Sequence, residues 1–173
     1  MRARFGILAV ATLTLAACGS TNTSSPSTGS SDAASQPSAT ASAAATTAAF
    51  DAPFTLGGAT VTISAPKSFT PGAYASNFMP GQVAELVTVD IANKGTTPLD
   101  MTTIVLSATS GQNACSDVLD GDNGINGAPT DPVAAGGHTT FKYGIACDGK
   151  MGDPLDLNVA FGSASVDLTS KLA

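Results

Sequence analysis

The 173-residue sequence has no tryptophan, one histidine, one glutamate and few basic residues. Seven lysines and arginines stand against 13 acidic residues, which gives a net charge of −6. A chain this acidic lacks the basic surface that binds nucleic acid and the polybasic patch that binds anionic lipid. We therefore expect no nucleic-acid partner, and any attachment to a membrane must rest on something other than charge.

Recognisable catalytic motifs are missing as well. There is no G-x-S-x-G and no Gly-rich phosphate loop. The single histidine, His138, is interpreted as an exposed residue at the start of a strand, and Glu85 as an edge or surface charge. We expect a protein that is not an enzyme. A hydrolase stays open only if His138 meets a carboxylate and a hydroxyl in one pocket.

The N-terminus has the form of an export signal. Arg2 and Arg4 precede an apolar core over 7–15, and the small residues Ala16 and Ala17 follow it. A membrane-spanning helix needs about 20 apolar residues, so this core is too short to remain as a span. Residues 1–17 are therefore predicted to be a signal peptide that is removed.

The segment Leu15-Ala16-Ala17-Cys18, followed by Gly19, resembles the lipobox of bacterial lipoproteins. The resemblance implies a diacylglycerol thioether on Cys18 and cleavage before it. Two or more acyl chains anchor a protein firmly where one chain exchanges. We expect a protein attached to the extracytoplasmic face of the cell membrane through Cys18. An ordinary secreted protein with a chance cysteine is the alternative.

A tether follows the anchor. Residues 19–49 contain only Ser, Thr, Ala, Gly and Pro apart from Asn22, Asp32 and Gln36. A segment without large apolar residues cannot bury enough surface to offset its ordering entropy, so 18–49 is predicted to be disordered. As a flexible coil it would span about 30 Å.

Alternating apolar residues dominate the remaining 124 residues, 50–173, which are predicted to form one domain. No amphipathic helical window of ten residues or more is present. The pattern predicts about seven short strands and an immunoglobulin-like antiparallel β-sandwich. The inward-facing positions are predicted to include Val87, Val89, Ile91, Phe141, Tyr143, Ile145, Leu155, Leu157, Val159, Phe161, Val166 and Leu168.

Two cysteines remain once Cys18 carries lipid. Cys115 and Cys147 form an even pair in an exported domain, where the compartment is oxidising, so they are predicted to form a disulfide. A metal-binding pair would need further ligands that one histidine cannot supply, and two free thiols are the other alternative.

The segment Cys115–Gly137 is rich in Asp, Asn, Gly and Pro and is predicted to be a long loop. Flexible loops of this composition can supply the six to eight oxygen ligands of Ca²⁺. The spacing does not fit an EF-hand loop. Counted from Asp120, the fifth position is Gly124, which has no side-chain oxygen, and the twelfth is Asp131 in place of the usual glutamate. A structural turn loop is the preferred interpretation. The candidate calcium ligands are Asp117, Asp120, Asp122, Asn123 and Asn126.

A second resemblance covers residues 54–168. The run ELVTVDIANKGTTPL over 85–99, the segment Ala135–Phe141 and the late strand Leu155–Phe161 resemble the telokin-like, immunoglobulin-like domain of bacterial envelope lipoproteins. That family is largely of unknown function and is related in fold to secreted mycobacterial antigens. The chain departs from antibody domains because it has no tryptophan. The resemblance implies an extracytoplasmic accessory or interaction module and supplies no catalytic residues.

Two hypotheses of function follow. The first is a non-catalytic binding module that contacts another envelope protein or a wall component, because loops at one end of a sandwich are common recognition surfaces. The second is a lipoprotein that binds an ion or a small ligand through the acidic loop 117–131.

Overall fold

The computed structural model describes residues 46–173. The predicted signal peptide, Cys18 and most of the predicted tether lie outside these residues. Within them the chain forms eleven β-strands and two short 3₁₀ turns, Met101–Thr103 and Gly121–Asn123. The strands are β1 Thr46–Ala48, β2 Phe54–Leu56, β3 Ala59–Ile63, β4 Lys67–Ser68, β5 Val83–Asn93, β6 Ile104–Ser110, β7 Asn113–Ala114, β8 Ser116–Val118, β9 His138–Cys147, β10 Pro154–Phe161 and β11 Ala164–Lys171. None of the helices in the described part has the length and apolar character needed to cross a bilayer.

The strands form two sheets that pack face to face. One sheet has the order β1-β11-β10-β6-β7, and the other has the order β2-β3-β5-β9-β8, with β4 also paired to β5. All pairings are antiparallel except that of β1 with β11. The predicted all-β sandwich is therefore confirmed.

The core lies between the sheets, and strand alternation builds it. In β5 the side chains of Val87, Val89 and Ile91 are fully buried, while Thr88 between them is exposed. In β9, Tyr143 and Ile145 are buried as the sequence predicts, whereas Phe141 is half-buried. Gly144 and Ala146 are buried too, so both faces of β9 are covered at this end. The other buried strand positions of the core include Val61, Ile63, Leu106, Ala108, Leu155, Leu157, Val159, Phe161, Val166 and Leu168.

The number of strands exceeds the seven expected, because five of the eleven are only two or three residues long. A period of two cannot be recognised over so few residues. Some of these strands, β4 included, lie where no strand was expected. β1 falls within the segment assigned to the tether and pairs with β11 from Thr46 to Ala48, and β8 falls within the long loop after Cys115.

Candidate functional site

A cleft opens between the two sheets along one side of the sandwich. The chain leaves β7 in the first sheet, passes Cys115 and enters β8 in the second sheet. Cys115 is bonded to Cys147 at the end of β9, so the predicted disulfide is confirmed and holds this crossing in place. Beyond the crossing, β6 and β8 diverge and leave the cleft between them.

The cleft is small and mostly apolar, with a volume of about 220 Å³. Val105 of β6 and Leu119 just after β8 are large apolar side chains at its mouth, and they are 57% and 45% exposed. Drug-sized ligands occupy about 300–1,000 Å³, so this volume suits one or two side chains better than a small-molecule ligand. The lining residues are Ile104, Val105, Leu106, Asp117, Val118, Leu119, Gly127, Ala128 and Tyr143.

A tyrosine bridges the two sheets at the cleft. The side chain of Tyr143 points inward from β9, and its hydroxyl contacts the carboxylate of Asp117 and the carbonyl oxygen of Leu106, the latter at 3.2 Å. Burial, reinforced by the hydrogen bond to Asp117, raises the pKa of Tyr143 far above its usual value. The phenol therefore stays protonated and donates a hydrogen bond to the carbonyl oxygen of Leu106 in β6 or the carboxylate of Asp117 in β8.

Asp117 is therefore placed in the cleft and not among the other predicted calcium ligands. It pairs with Ile145 across β8 and β9, and paired residues share a face, so its side chain lies on the side of the sheet that faces the cleft. Asp117 is exposed, and its carboxylate is the one acidic group that lines the cleft. The cleft thus combines apolar walls with a single negative charge.

Asp120 has a different role, as a buried clamp between two loops. Its carboxylate accepts hydrogen bonds from the backbone N–H of Gly72 and the side-chain amide of Asn123, both at 2.7 Å. These donors, Gly72 first, lower the pKa of Asp120. The side-chain amide of Asn123 also donates to the carbonyl oxygen of Thr70, at 3.2 Å. Asp120 and Asn123 therefore fasten the predicted calcium loop to the loop before β5.

The other two predicted ligands, Asp122 and Asn126, take no part in these hydrogen bonds. Asp122 is exposed, and a Cβ placed on Gly72 would lie 3.2 Å from its Oδ2 and 3.1 Å from Oδ1 of Asp120. Asn126 is exposed and lines a separate depression on the outer face of β9, beside Thr140 and Lys142. In residues 46–173 no three His, Cys, Asp or Glu side chains come together as a metal site would require. Of the five predicted ligands, only Asp120, Asp122 and Asn123 are neighbours.

Replacing Asp120 with alanine is expected to lower the melting temperature at pH 7 by several degrees, because Gly72 and Asn123 lose their acceptor. A carboxyl whose pKa is lowered on folding stabilises the folded state above its unfolded pKa, and this stabilisation is lost as the pH falls through the folded value. The deficit of the variant should therefore shrink in acid. Thermal melts at pH 7 and pH 3 measure it, and Asp122→Ala is the matched control on the same 3₁₀ turn. Equal melting temperatures for Asp120→Ala and the wild type at pH 7 would contradict the clamp.

Glu85 was expected to be an edge or surface charge, and that prediction is wrong. Its side chain is fully buried, because Glu85 shares the inward face of β5 with Val87 and Val89. Its Oε1 accepts the N–H of Ala173 at 2.7 Å, and its Oε2 has no hydrogen-bond partner among the described residues. Burial raises the pKa of Glu85. The alternation that identified the valines also predicts this position, since residues two apart share a face.

His138 is exposed at the start of β9, opposite Ala92, as the sequence predicts. It lines none of the three depressions described in residues 46–173: the cleft, the hollow on the outer face of β9, and a hollow on the outer face of β6, β10 and β11. The structure therefore does not bring His138 together with a carboxylate and a hydroxyl in one of these hollows.

Comparisons with known proteins identify the fold and no family. No family model matches the chain, and no curated protein matches it. Among solved structures, the ycdA protein of Bacillus subtilis, which is named as a lipoprotein, aligns with 69% of this chain at a TM-score of 0.56 and 19% identity. This chain spans only 38% of that protein's length.

Two further structures are similar. The yjhA protein of Bacillus subtilis has a TM-score of 0.53 and 11% identity over 72% of this chain and 98% of its own. An uncharacterised β-sandwich protein of Clostridium difficile 630 has a TM-score of 0.48 and 14% identity over 73% of this chain and 96% of its own. At these identities the two Bacillus subtilis structures, with TM-scores above 0.5, show a shared fold and nothing further.

Proposed function

We propose that this protein is a lipid-anchored, extracytoplasmic binding module, and that the cleft between β6 and β8 is where it contacts another envelope protein. The observation that carries the proposal is the cleft itself. It exposes Val105 and Leu119 beside the carboxylate of Asp117, between sheets held by a disulfide. Exposed apolar residues gathered around a polar group are typical of recognition surfaces.

The proposed lipid anchor and tether would keep the domain near its partners at the membrane. Lipid on Cys18 would hold the protein at the membrane, and a flexible tether of this composition would let the domain search about 30 Å around its anchor. The lipoprotein among the solved structures of similar fold is consistent with such an arrangement. Confining a module near its partners raises their effective concentration, so a weak contact at a small cleft can suffice.

The described surface favours a protein partner over a wall glycan. The hollow on the outer face of β6, β10 and β11 has a volume of about 350 Å³ and is lined by Thr, Ser, Asn and Asp residues, among them Asp156, Asn158 and Asp167. No aromatic side chain lines it, so it offers no flat apolar face against which a ring could stack. The apolar cleft instead suits the side chains of a polypeptide.

Site-specific cross-linking tests the proposal. A photo-reactive phenylalanine analogue placed at position 119 of the full-length protein, expressed in its own cells, is expected to yield a discrete cross-linked product with one envelope protein. The same analogue at Thr169, which is exposed on β11 in the other hollow, is the control. Products that are identical at both positions, or absent at position 119, would contradict a partner at the cleft.

Ion binding by the acidic loop is the second candidate, and one observation favours it. The carboxylates of Asp120 and Asp122 both approach the same point above Gly72. Calcium that binds only the folded state at 100 times its dissociation constant would add about 2.7 kcal/mol of stability. Melts of the wild type and Asp120→Ala with Ca²⁺ and with chelator test it. An increase with Ca²⁺ in the wild type alone would support an ion site, and no increase would leave the loop as a clamp.

A further inference from the structure

The edge of β6 that faces the cleft is open. β10 pairs with β6 from Ile104 to Thr109 on one side, whereas β7 covers only Thr109 and Ser110 on the other. No other strand among residues 46–173 pairs with β6 on the cleft side. The stretch Ile104–Ser107 therefore pairs with no strand on this side, over about 14 Å at the usual rise per residue.

The direction of the backbone groups along this edge follows from two hydrogen bonds. The N–H of Cys115 donates to the carbonyl oxygen of Ala108 at 2.9 Å, and the hydroxyl of Tyr143 reaches the carbonyl oxygen of Leu106 at 3.2 Å. Backbone groups of alternate residues point to the same side of an antiparallel strand. The N–H of Leu106 and the carbonyl of Ile104 therefore also face the cleft. These two groups are the ones that an added strand would bond, since the carbonyls of Leu106 and Ala108 already accept from Tyr143 and Cys115.

The open edge lacks the features that usually protect one. Proteins shorten their edge strands or place lysine, proline or a bulge on them, because an unprotected edge pairs with other chains. The outer strands β1, β2 and β8 are each three residues long. The stretch Ile104–Ser107 has the sequence IVLS, with no charge and no proline.

We propose that the partner binds by strand addition: an extended segment with alternating apolar residues and at least one lysine or arginine pairs with the open edge of β6. This inference rests on the proposed function and names the mode and chemistry of binding at the same site. Main-chain hydrogen bonds to β6 supply affinity, and alternate side chains enter the apolar cleft. The basic residue is selected by the carboxylate of Asp117.

Charge and composition favour a segment of another protein over two other occupants of the cleft, which are a second copy of this chain and this chain's own segment 19–49. Residues 46–173 carry five lysines against twelve acidic residues, so two copies meeting edge to edge would bring like charges together. The chain's own segment 19–49 has no basic residue and no large apolar side chain to fill the cleft. A basic segment of another protein meets both requirements.

A displayed library of random dodecapeptides, selected on the purified full-length protein, tests the mode. We expect enriched peptides with alternating apolar positions and a lysine or arginine. In the best synthetic peptide, N-methylation of one alternate set of amides should weaken binding at least about tenfold, and N-methylation of the other set should have little effect. Amide exchange at Leu106 should slow in the complex.

The variant Val105→Lys places a positive charge at the edge of β6, on an exposed side chain outside the core. This charge repels the basic residue of the peptide and should weaken binding of the same peptide at least about tenfold. Thr169→Lys adds the same charge on β11 and should leave binding unchanged. No enrichment, a uniform effect of N-methylation, or unchanged exchange at Leu106 would each overturn strand addition. So would a concentration-dependent dimer that Val105→Lys abolishes.

The two proposals fail separately. A partner cross-linked at position 119 whose capture survives Val105→Lys would overturn strand addition while the binding module stands. If the protein with the photo-reactive analogue at position 119 and no other substitution gives no cross-linked product, the binding module itself is contradicted.

Discussion

Replacing both Cys115 and Cys147 with alanine is expected to lower the free energy of unfolding by about 3–4 kcal/mol. The disulfide joins residues 32 positions apart, and without it the unfolded chain regains the entropy that closing this loop removes. Denaturant unfolding of the oxidised wild type and the double variant measures the difference. It is a large fraction of the 5–15 kcal/mol that stabilises a typical domain.

The wild type unfolded in a reducing buffer is the matched control, because it loses the bond without losing side-chain atoms. Its stability should approach that of the double variant. The cleft should respond too, since the bond holds the crossing from β7 to β8 beside it. Oxidised and reduced proteins of equal stability would contradict a stabilising role for this bond.

Replacing Glu85 with glutamine is expected to raise the free energy of unfolding at pH 8 by about 1–2 kcal/mol, because it removes a negative charge whose burial disfavours the folded state. The side chain of Glu85 is fully buried, and its Oε2 has no partner among residues 46–173. A neutral amide of the same shape keeps an acceptor for the N–H of Ala173 and removes the buried charge.

The effect should depend on pH in a defined direction. Because burial raises the pKa of Glu85 in the folded state, the folded protein favours the protonated carboxyl. The contribution of the protonated Glu85 carboxyl to stability is fully present below its pKa in the unfolded chain. This contribution is lost as the pH rises through its pKa in the folded protein. The wild type and Glu85→Gln should therefore have similar stability near pH 4 and should diverge toward pH 8.

Thermal or denaturant unfolding across this pH range measures the divergence. Asp156→Asn, an exposed carboxylate on β10, is the control and should follow the wild type at every pH. A glutamine variant that is less stable than the wild type at pH 8, or that runs parallel to it, would show that the charge at Glu85 carries no penalty.

Local patterns were sufficient to predict most of the architecture. Alternation over seven or more residues predicted β5, β9 and β10, because a half-buried strand must place every second side chain in the core. The apolar residues Val166 and Leu168 predicted β11. Two cysteines in an exported domain predicted their bond. The same reasoning missed β1 and β8, whose three residues are too few to show a period, and whose strand geometry comes from pairing with β11 and β9.

The candidate site depended on contacts between residues far apart in the sequence. Asp117 and Asp120 differ by three positions and are chemically identical, yet Asp117 meets Tyr143 at the cleft and Asp120 fastens the backbone of Gly72. Composition assigned both to one loop and could not separate them. The sequence by itself determined the β-sandwich, its disulfide and its acidic character, because these follow from period, residue type and charge. Only the tertiary structure decided which strand edge is open, which carboxylate lies in the cleft and that Glu85 is buried, because each depends on which strands become neighbours.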